Sequence, residues 1–429
     1  MPKKSIAIIG GGASALMLAA HLDETKFDVT IYERNTALGR KFLVAGDGGL
    51  NITHSEPLEK FIQRYEPTDF FQNIITNFSN TDLISWLQNI GVNTFIGTSG
   101  RVFPEKNSKP IEVLNAVLDV LKNKNVTIKT NYLWKGWNEK TELQFETKAE
   151  VRVSTKLNNK MVSEDTNHSN TEIKNVKSDF VIFALGGKSW RITGSDGNWT
   201  NYFSEKEIEI IVFEASNCAV KIDWKTDFLK IAEGESLKNI LIKCGDNERK
   251  GEVVITKFGF EGGAVYALTS AIRKQLKNMV SEGTNQDDTA TIYVDLKPIF
   301  SHEEILEKLN QPKKNSINNH LETKIGLSKT AINLLKFYLS KEEFTDMNLL
   351  SKAIKNFPLN VVGLAPIDEA ISTVGGISLA EINENFELNK LPRHFCIGEM
   401  LDWNAPTGGY LLQGNFSMGF CLAKYLNAK

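Results

Sequence analysis

Residues 10–15, Gly10-Gly11-Gly12-Ala13-Ser14-Ala15, form the pattern G-x-G-x-x-G/A. Glycines at this spacing let a backbone turn tightly at Gly10 and approach a pyrophosphate at Gly12. A small residue at Ala15 lets a following helix pack on the preceding strand, with the N–H groups of its first turn, Ala13 and Ser14 included, facing the phosphates. The chemistry is therefore dinucleotide binding, and the neighbouring elements have to position it. The run Ile6-Ala7-Ile8-Ile9 predicts a strand buried on both faces. Residues 16–22 carry apolar groups at helical spacing, and residues 27–32 predict a second strand that ends at Glu33, with Arg34 beside it. A carboxylate at Glu33 would accept hydrogen bonds from ribose hydroxyls and repel a 2′-phosphate, which favours FAD or NAD over NADP.

A second glycine-rich stretch selects between the two. Gly39-Arg40-Lys41 precedes Ala45-Gly46-Asp47-Gly48-Gly49-Leu50-Asn51-Ile52-Thr53-His54. Two cations and a glycine loop just past the ribose acid suit the larger ligand, FAD. Residues 180–183 then predict another buried strand, which runs into Ala184-Leu185-Gly186-Gly187. Near the end, residues 395–397 predict a strand that stops at Gly398-Glu399-Met400-Leu401-Asp402-Trp403. Ala405-Pro406-Thr407-Gly408-Gly409-Tyr410-Leu411-Leu412-Gln413-Gly414-Asn415 then opens a helix reaching residue 426. A helix start carries about half a positive charge. At the flavin N1/C2 carbonyl edge it would stabilise the anionic reduced ring.

These segments together resemble the BaiN-like NAD(P)/FAD-dependent oxidoreductases. The family loop G-R-K-x-L-x-S-G-x-G-R-C-N-x-T is similar to residues 39–53, with Gly49-Leu50 in place of Arg-Cys. That departure, together with the continuation from Asn51 to Pro57, is similar to a narrower branch of the family. The motifs G-E-x-L-D and P-T-G-G-Y match at 398–402 and 406–410. The resemblance implies an FAD-dependent oxidoreductase of α/β class, with a Rossmann-like FAD-binding domain and an inserted β-barrel-like plus helical module. It implies that Gly10, Gly12, Ala13, Ser14 and Ala15 cradle the pyrophosphate, that Glu33 holds the ribose, and that Arg34, Gly39, Arg40, Lys41, Gly46 and Asn51 line the path. Ala184 and Gly186 return the chain to the cofactor, and Trp134 is the nearest positional match to the backbone that contacts adenine. Gly398, Glu399 and Asp402 would position the ribityl chain. Thr407, Gly408, Gly409, Leu412, Gln413 and Asn415 would present groups to the ring. Hydride would pass between flavin N5 and a small organic substrate held between the FAD domain and the insert, with NAD(P)H as a transient reductant. Residues 255–264, similar to an internal glycine motif of the insert, would wall that cavity. The competing reading is a binding or scaffold protein that holds a non-catalytic flavin.

The 429 residues are enough for two or three domains, and 41% hydrophobic with 24% charged residues is a globular composition. The expected division is 1–203 and 361–429 for the FAD domain and 204–360 for the insert. There, short strand candidates (208–213, 218–222, 237–244, 252–256, 291–296) give way to a helix at 264–279 and helical spacing over 301–357. Residues 100–104 read as a turn and 154–178 as a polar excursion. A net charge of −2 offers no electrostatic footprint for nucleic acid or an anionic membrane. Cys218, Cys244, Cys396 and Cys421 show no paired spacing, which excludes a flavin–disulfide reductase and predicts reduced thiols in a cytoplasmic setting. The first apolar stretch is shorter than the roughly 7–15 residues of a secretory leader. The six histidines have no metal-ligand spacing, and His54 alone lies beside a glycine loop. No second G-x-G-x-x-G is present for NAD(P)H. Tyr410 and Lys188 are the proton-donor candidates nearest the motifs.

Overall fold

The computed structural model describes residues 2–44, 49–106, 108–148, 171–281, 289–311 and 316–429. Two compact units emerge: Met1–Phe213 with Val374–Lys429, and Glu214–Thr373. Each crossing falls inside a strand, Ile210–Ser216 and Ser372–Ile377. The boundaries therefore sit later in the chain than the 203/204 and 360/361 read from composition, because a strand shared by two units has no compositional edge.

The first unit is built on a five-stranded parallel sheet. Its order is His394–Cys396, Phe180–Phe183, Lys4–Ile9, Phe27–Glu33 and Thr127–Thr130. Apolar β-branched runs form the middle of this sheet because both faces are covered: Ile6, Ala7, Ile8 and Ile9 are all buried. The helices Ala13–His21 and Tyr410–Asn427 run side by side in one direction. Ser14 at the start of the first meets Asn415 near the start of the second (2.7 Å), and the carbonyl of His21 at its end accepts from Asn427 (2.8 Å). Small residues permit this approach. Ala15 and Ala19 are buried in the first helix, and a Cβ on Gly419 would overlap the carbonyl oxygen of Ser14.

Two small antiparallel sheets complete the unit. Tyr132–Trp137, Leu143–Lys148 and Thr171–Val176 form a meander. The last strand lies within the stretch read as a polar excursion, the remainder of which falls outside the described residues apart from 177–178. Thr53–His54, Arg101–Pro104 and Thr94–Ile96 form the other sheet. The expected turn at 100–104 is thus a strand, with Val102 fully buried and paired to Thr53.

The second unit holds a seven-stranded sheet in the order Phe357–Val361, Ala290–Asp295, Ser236–Cys244, Asn247–Ile255, Gly259–Glu261, Val220–Lys221 and Gly363–Leu364. Its two edge strands are separated in sequence by Val362 alone, so the sheet has to curl until its edges nearly meet. That is a barrel-like closure. The helix expected at 264–279 is broken into Gly263–Tyr266 and Thr269–Ser281, where Leu268 N–H bonds back three residues to Val265 (2.9 Å). The helices His302–Asn310, Lys329–Tyr338 and Met347–Lys355 form most of the helical part. Among the described residues no helix is long and apolar enough to cross a membrane. Burial raises the thiol pKa of Cys218 and of Cys244 to about 11 and that of Cys421 to about 12, and it lifts Cys396 well above the usual range. All four are free thiols held in their protonated, poorly nucleophilic form.

Candidate functional site

The site grows from the turn after the first strand. Gly10 has φ +100°, and its Cβ would overlap the carbonyl oxygen of Ala184; only glycine fits. This contact brings the first loop against Ala184, the residue after the strand Phe180–Phe183. Gly12 is the N-cap of the helix Ala13–His21 and supplies no side-chain cap. A Cβ built on Gly12 meets no atom within 4 Å, so the loop presents an open face in front of the unsatisfied N–H groups of the first turn. No acidic residue lies in that turn. The open face and the free N–H groups suit an anion there.

Glu33 is buried, and its carboxylate is already organised. Gly11 N–H donates to Oε2 (2.8 Å), while Asn35 donates to Oε1 from its backbone (2.8 Å) and side chain (2.7 Å). A carboxylate has about four acceptor sites, so capacity remains for a ribose hydroxyl. Asn35 in turn accepts from Arg40 (2.8 Å), and Gly39 N–H bonds Gly11 O (2.9 Å). The ribose acid, the first glycine loop and the start of the second are therefore one network. Asn35, whose place two residues past Glu33 was the available signal, was not anticipated.

The other predicted cations are committed to acids. Lys41 pairs with Glu399 (2.8 Å) and donates to Ser189 (2.8 Å), which ties the second loop to the Gly398–Trp403 segment. Arg34 pairs with Asp196 (2.8 Å) and donates to Gly194 O (2.7 Å), so it holds the 191–196 loop. Gly186 accepts from the indole of Trp199 (3.2 Å). Gly398 has φ +89°, and a Cβ there would press against Ser14 (2.5 Å) and Asn415 (3.0 Å). Asp402 accepts from Gly375 N–H (2.8 Å). Asn51 donates to Thr53 O (2.9 Å) and Val102 O (3.0 Å), yet its Oδ1 is buried with no hydrogen-bond partner.

At the terminal helix, Gly408 and Gly409 have φ +111° and +96°, and a Cβ on Gly409 would overlap the backbone of Thr53. Thr407 precedes this turn. Helix geometry leaves the first N–H groups, Tyr410 to Leu412, without intrahelical partners. Beneath them, the Tyr410 hydroxyl donates to Glu56 (2.6 Å), which Arg64 grips through two bonds (2.9 and 2.8 Å). Burial opposes ionisation of Glu56, but the bonds from Arg64 and Tyr410 prevail and lower its pKa. Burial and the bond to Glu56 push the Tyr410 phenol well above its usual range. His54 stacks on Tyr410 (5.4 Å between ring centres) and accepts from Glu56 N–H (3.1 Å). It therefore braces the turn, and Tyr410 is spoken for by Glu56.

One sequence expectation needs correction and one falls outside the description. Gln413 is fully buried: its side chain accepts from Thr53 (2.8 Å) and donates to Phe78 O and Ser417 (both 3.1 Å), and its backbone N–H bonds Gly409 O. Gln413 braces the helix from behind. The Trp134 ring is buried among Trp137, Phe183, Tyr202 and Phe203, which leaves the backbone as the part that the adenine expectation concerns. Gly46 lies outside the described residues. Glu56, Arg64 and Arg101 were not anticipated either. Arg101, on the strand beside His54, has its Nε 3.7 Å from where a Cβ on Gly408 would lie.

Set against known proteins, residues 4–425 match the model of the family described as HI0933-like protein Rossmann domain. The chain is 23% identical over 443 residues to a 3-dehydro-bile acid delta(4,6)-reductase of Clostridium scindens, with 97% of each chain covered. It is 24% identical over 429 residues to a ribosomal RNA dihydrouridine synthase of Haemophilus influenzae, covering 97% of this chain and 96% of that one. A solved structure of a flavocytochrome c3 fumarate reductase in its open conformation superposes with a TM-score of 0.47 at 14% identity, over 99% of this chain and 78% of that one. The BaiN-like resemblance read from residues 39–57 and 398–410 is upheld by a match that spans nearly the whole sequence. This chain belongs to the HI0933-like Rossmann-domain family.

Proposed function

We propose that the protein is an FAD-dependent oxidoreductase that reduces a carbon–carbon double bond conjugated to a carbonyl group. The observation that carries the flavin reading is the open face of Gly12 before an uncapped helix, with the buried Glu33 carboxylate next to it. A diphosphate needs the first feature and an adenosine ribose the second. The Ser14–Asn415 junction supports the same reading, since it sets the starts of two helices side by side.

FAD, when bound, supplies two-electron hydride chemistry. The chain supplies the rest. Gly12 and the first-turn N–H groups take the diphosphate. Glu33, held by Asn35, takes the ribose and disfavours a 2′-phosphate. Lys41 and Glu399 flank the path as a fixed pair. The N–H groups of Tyr410 to Leu412 offer positive potential where negative charge accumulates, and the Glu56–Arg64–Tyr410 cluster keeps that turn rigid.

The substrate class follows from what the named relatives have in common. A delta(4,6)-reductase of a 3-dehydro bile acid and a dihydrouridine synthase both saturate a C=C bond in conjugation with a carbonyl. A small organic substrate is the favoured form. The whole chain is close to neutral, and residues 214–373 carry nearly equal numbers of acidic and basic side chains, whereas an RNA partner calls for a basic stripe. NADH or NADPH serves as a transient reductant.

Anaerobic reduction of the holoprotein by each nicotinamide, followed by reoxidation with 2-cyclohexen-1-one, a steroid enone or a uridine-containing RNA, tests the reading. Rapid reduction by one nicotinamide and reoxidation by an enone are expected. A flavin that cycles with none of them would leave the scaffold alternative in its place.

A further inference from the structure

Arg101 differs from the four cations that are bound into the site. Arg34 is paired with Asp196, Lys41 with Glu399 and Arg64 with Glu56, and Arg40 donates to Asn35. Arg101 is exposed, and no hydrogen bond or ion pair joins its guanidinium to any of the described residues. Its backbone is nevertheless fixed. Its strand pairs with Thr53–His54 on one side and Thr94–Ile96 on the other, and the neighbouring Val102 is fully buried. The guanidinium lies beside Gly408 at the start of the terminal helix, where the N–H groups already make the potential positive. Glu56, the acid bonded to Tyr410 in that turn, is consumed by Arg64 and Tyr410. The strand holds the Arg101 backbone beside this second positive pole, so an oxygen carrying negative charge placed between the two is attracted by both.

We propose that Arg101 is the substrate-anchoring residue, whose guanidinium binds an oxygen of the substrate that carries full or partial negative charge. The inference rests on the flavin reading of the Gly408–Gly409 turn, because that reading is what makes the space beside Arg101 a substrate space. It narrows the substrate class. The molecule offers a carboxylate, or a carbonyl whose oxygen is polarised in the bound state, within reach of the fork of N–H donors. A planar guanidinium binds such an oxygen pair through two parallel bonds, which a lysine ammonium cannot reproduce. Arg101 thus selects and orients, and the proton-donating group is a separate matter.

The test is an equilibrium titration of FAD-loaded protein with two unreactive probes, read from the perturbation of the flavin spectrum. Benzoate supplies a permanent carboxylate, and cyclohexanone a carbonyl alone. Loss of a charge-assisted hydrogen bond weakens binding by about 10- to 100-fold, so Arg101→Gln should raise the benzoate dissociation constant by that factor. Arg101→Lys should fall between the two. FAD content and the unperturbed spectrum should be unchanged in both variants, because no FAD-cradle residue bonds Arg101. A loss for benzoate alone identifies a substrate carboxylate, and a loss for both probes identifies the carbonyl; either supports the role. Equal dissociation constants for both probes across wild type, Arg101→Gln and Arg101→Lys would overturn it. Failure of the wild type to carry FAD would instead overturn the flavin reading, so the two failures are distinguishable.

Discussion

At the scale of residues, the side chains that line the motifs owe their charge states to one another. Glu56 is the clearest case, because its carboxylate is shared by Arg64 and Tyr410. Its folded pKa lies below the ordinary value of 4.5: burial opposes that shift, and the hydrogen bonds from Arg64 and Tyr410 overcome it. The charged form is therefore the one that the fold favours. Its contribution to stability is complete above the unfolded value and vanishes as pH falls through the folded one. Glu56→Gln should lower the thermal midpoint at neutral pH, and the gap to wild type should narrow as pH drops below about 4.5. Melting curves across that range check it; a gap of constant size would contradict the assignment. What was legible at this scale were the residues whose task is local. Gly10, Gly12 and Glu33 follow from the backbone path around one tight glycine turn, and they stand where the spacing put them. Glu56 and Arg101 were not legible, because each is placed by a chain segment hundreds of positions away at Gly408–Tyr410, and Arg64 follows Glu56.

At the scale of elements, the pivotal contact is helix on helix. Ala13–His21 and Tyr410–Asn427 approach closely enough that a Cβ on Gly419 would overlap Ser14 O and stand 2.9 Å from Leu18 N and 3.1 Å from Met17 Cβ. Gly419 has no left-handed backbone, so space alone demands glycine there. Gly419→Val should destabilise the first unit by roughly 1–3 kcal/mol through overpacking and, by pushing the helix starts apart, release flavin earlier in a denaturant titration than wild type. Coincident flavin release in the two proteins would show that the helices are not coupled. The terminal helix was legible from the glycine motif that opens it, and the strand Lys4–Ile9 from its unbroken apolar run. Thr53–His54 and Arg101–Pro104 were not, since strands of two to four residues contain too few alternations to define a period. The break at Ala267–Leu268 was not legible either, since no Gly or Pro marks it.

At the scale of the molecule, the chain leaves and re-enters the first unit in mid-strand, and the intervening Glu214–Thr373 closes on itself through edge strands one residue apart. The overall class was legible because the motifs fall at both ends of the sequence. The exact seams were not, because they lie within continuous strands. Everything proposed about chemistry depends on the two ends making one cradle for one flavin. Native mass spectrometry of the wild type and of Gly12→Val tests this most directly. The Gly12 backbone is in an ordinary region (φ −83°) and a Cβ there meets no protein atom within 4 Å, so the variant should fold as the wild type does. The wild type should carry the added mass of a single FAD, and Gly12→Val, equally folded by circular dichroism, should appear at its bare mass. A wild type without FAD, or a valine variant that retains it in full, would contradict the account.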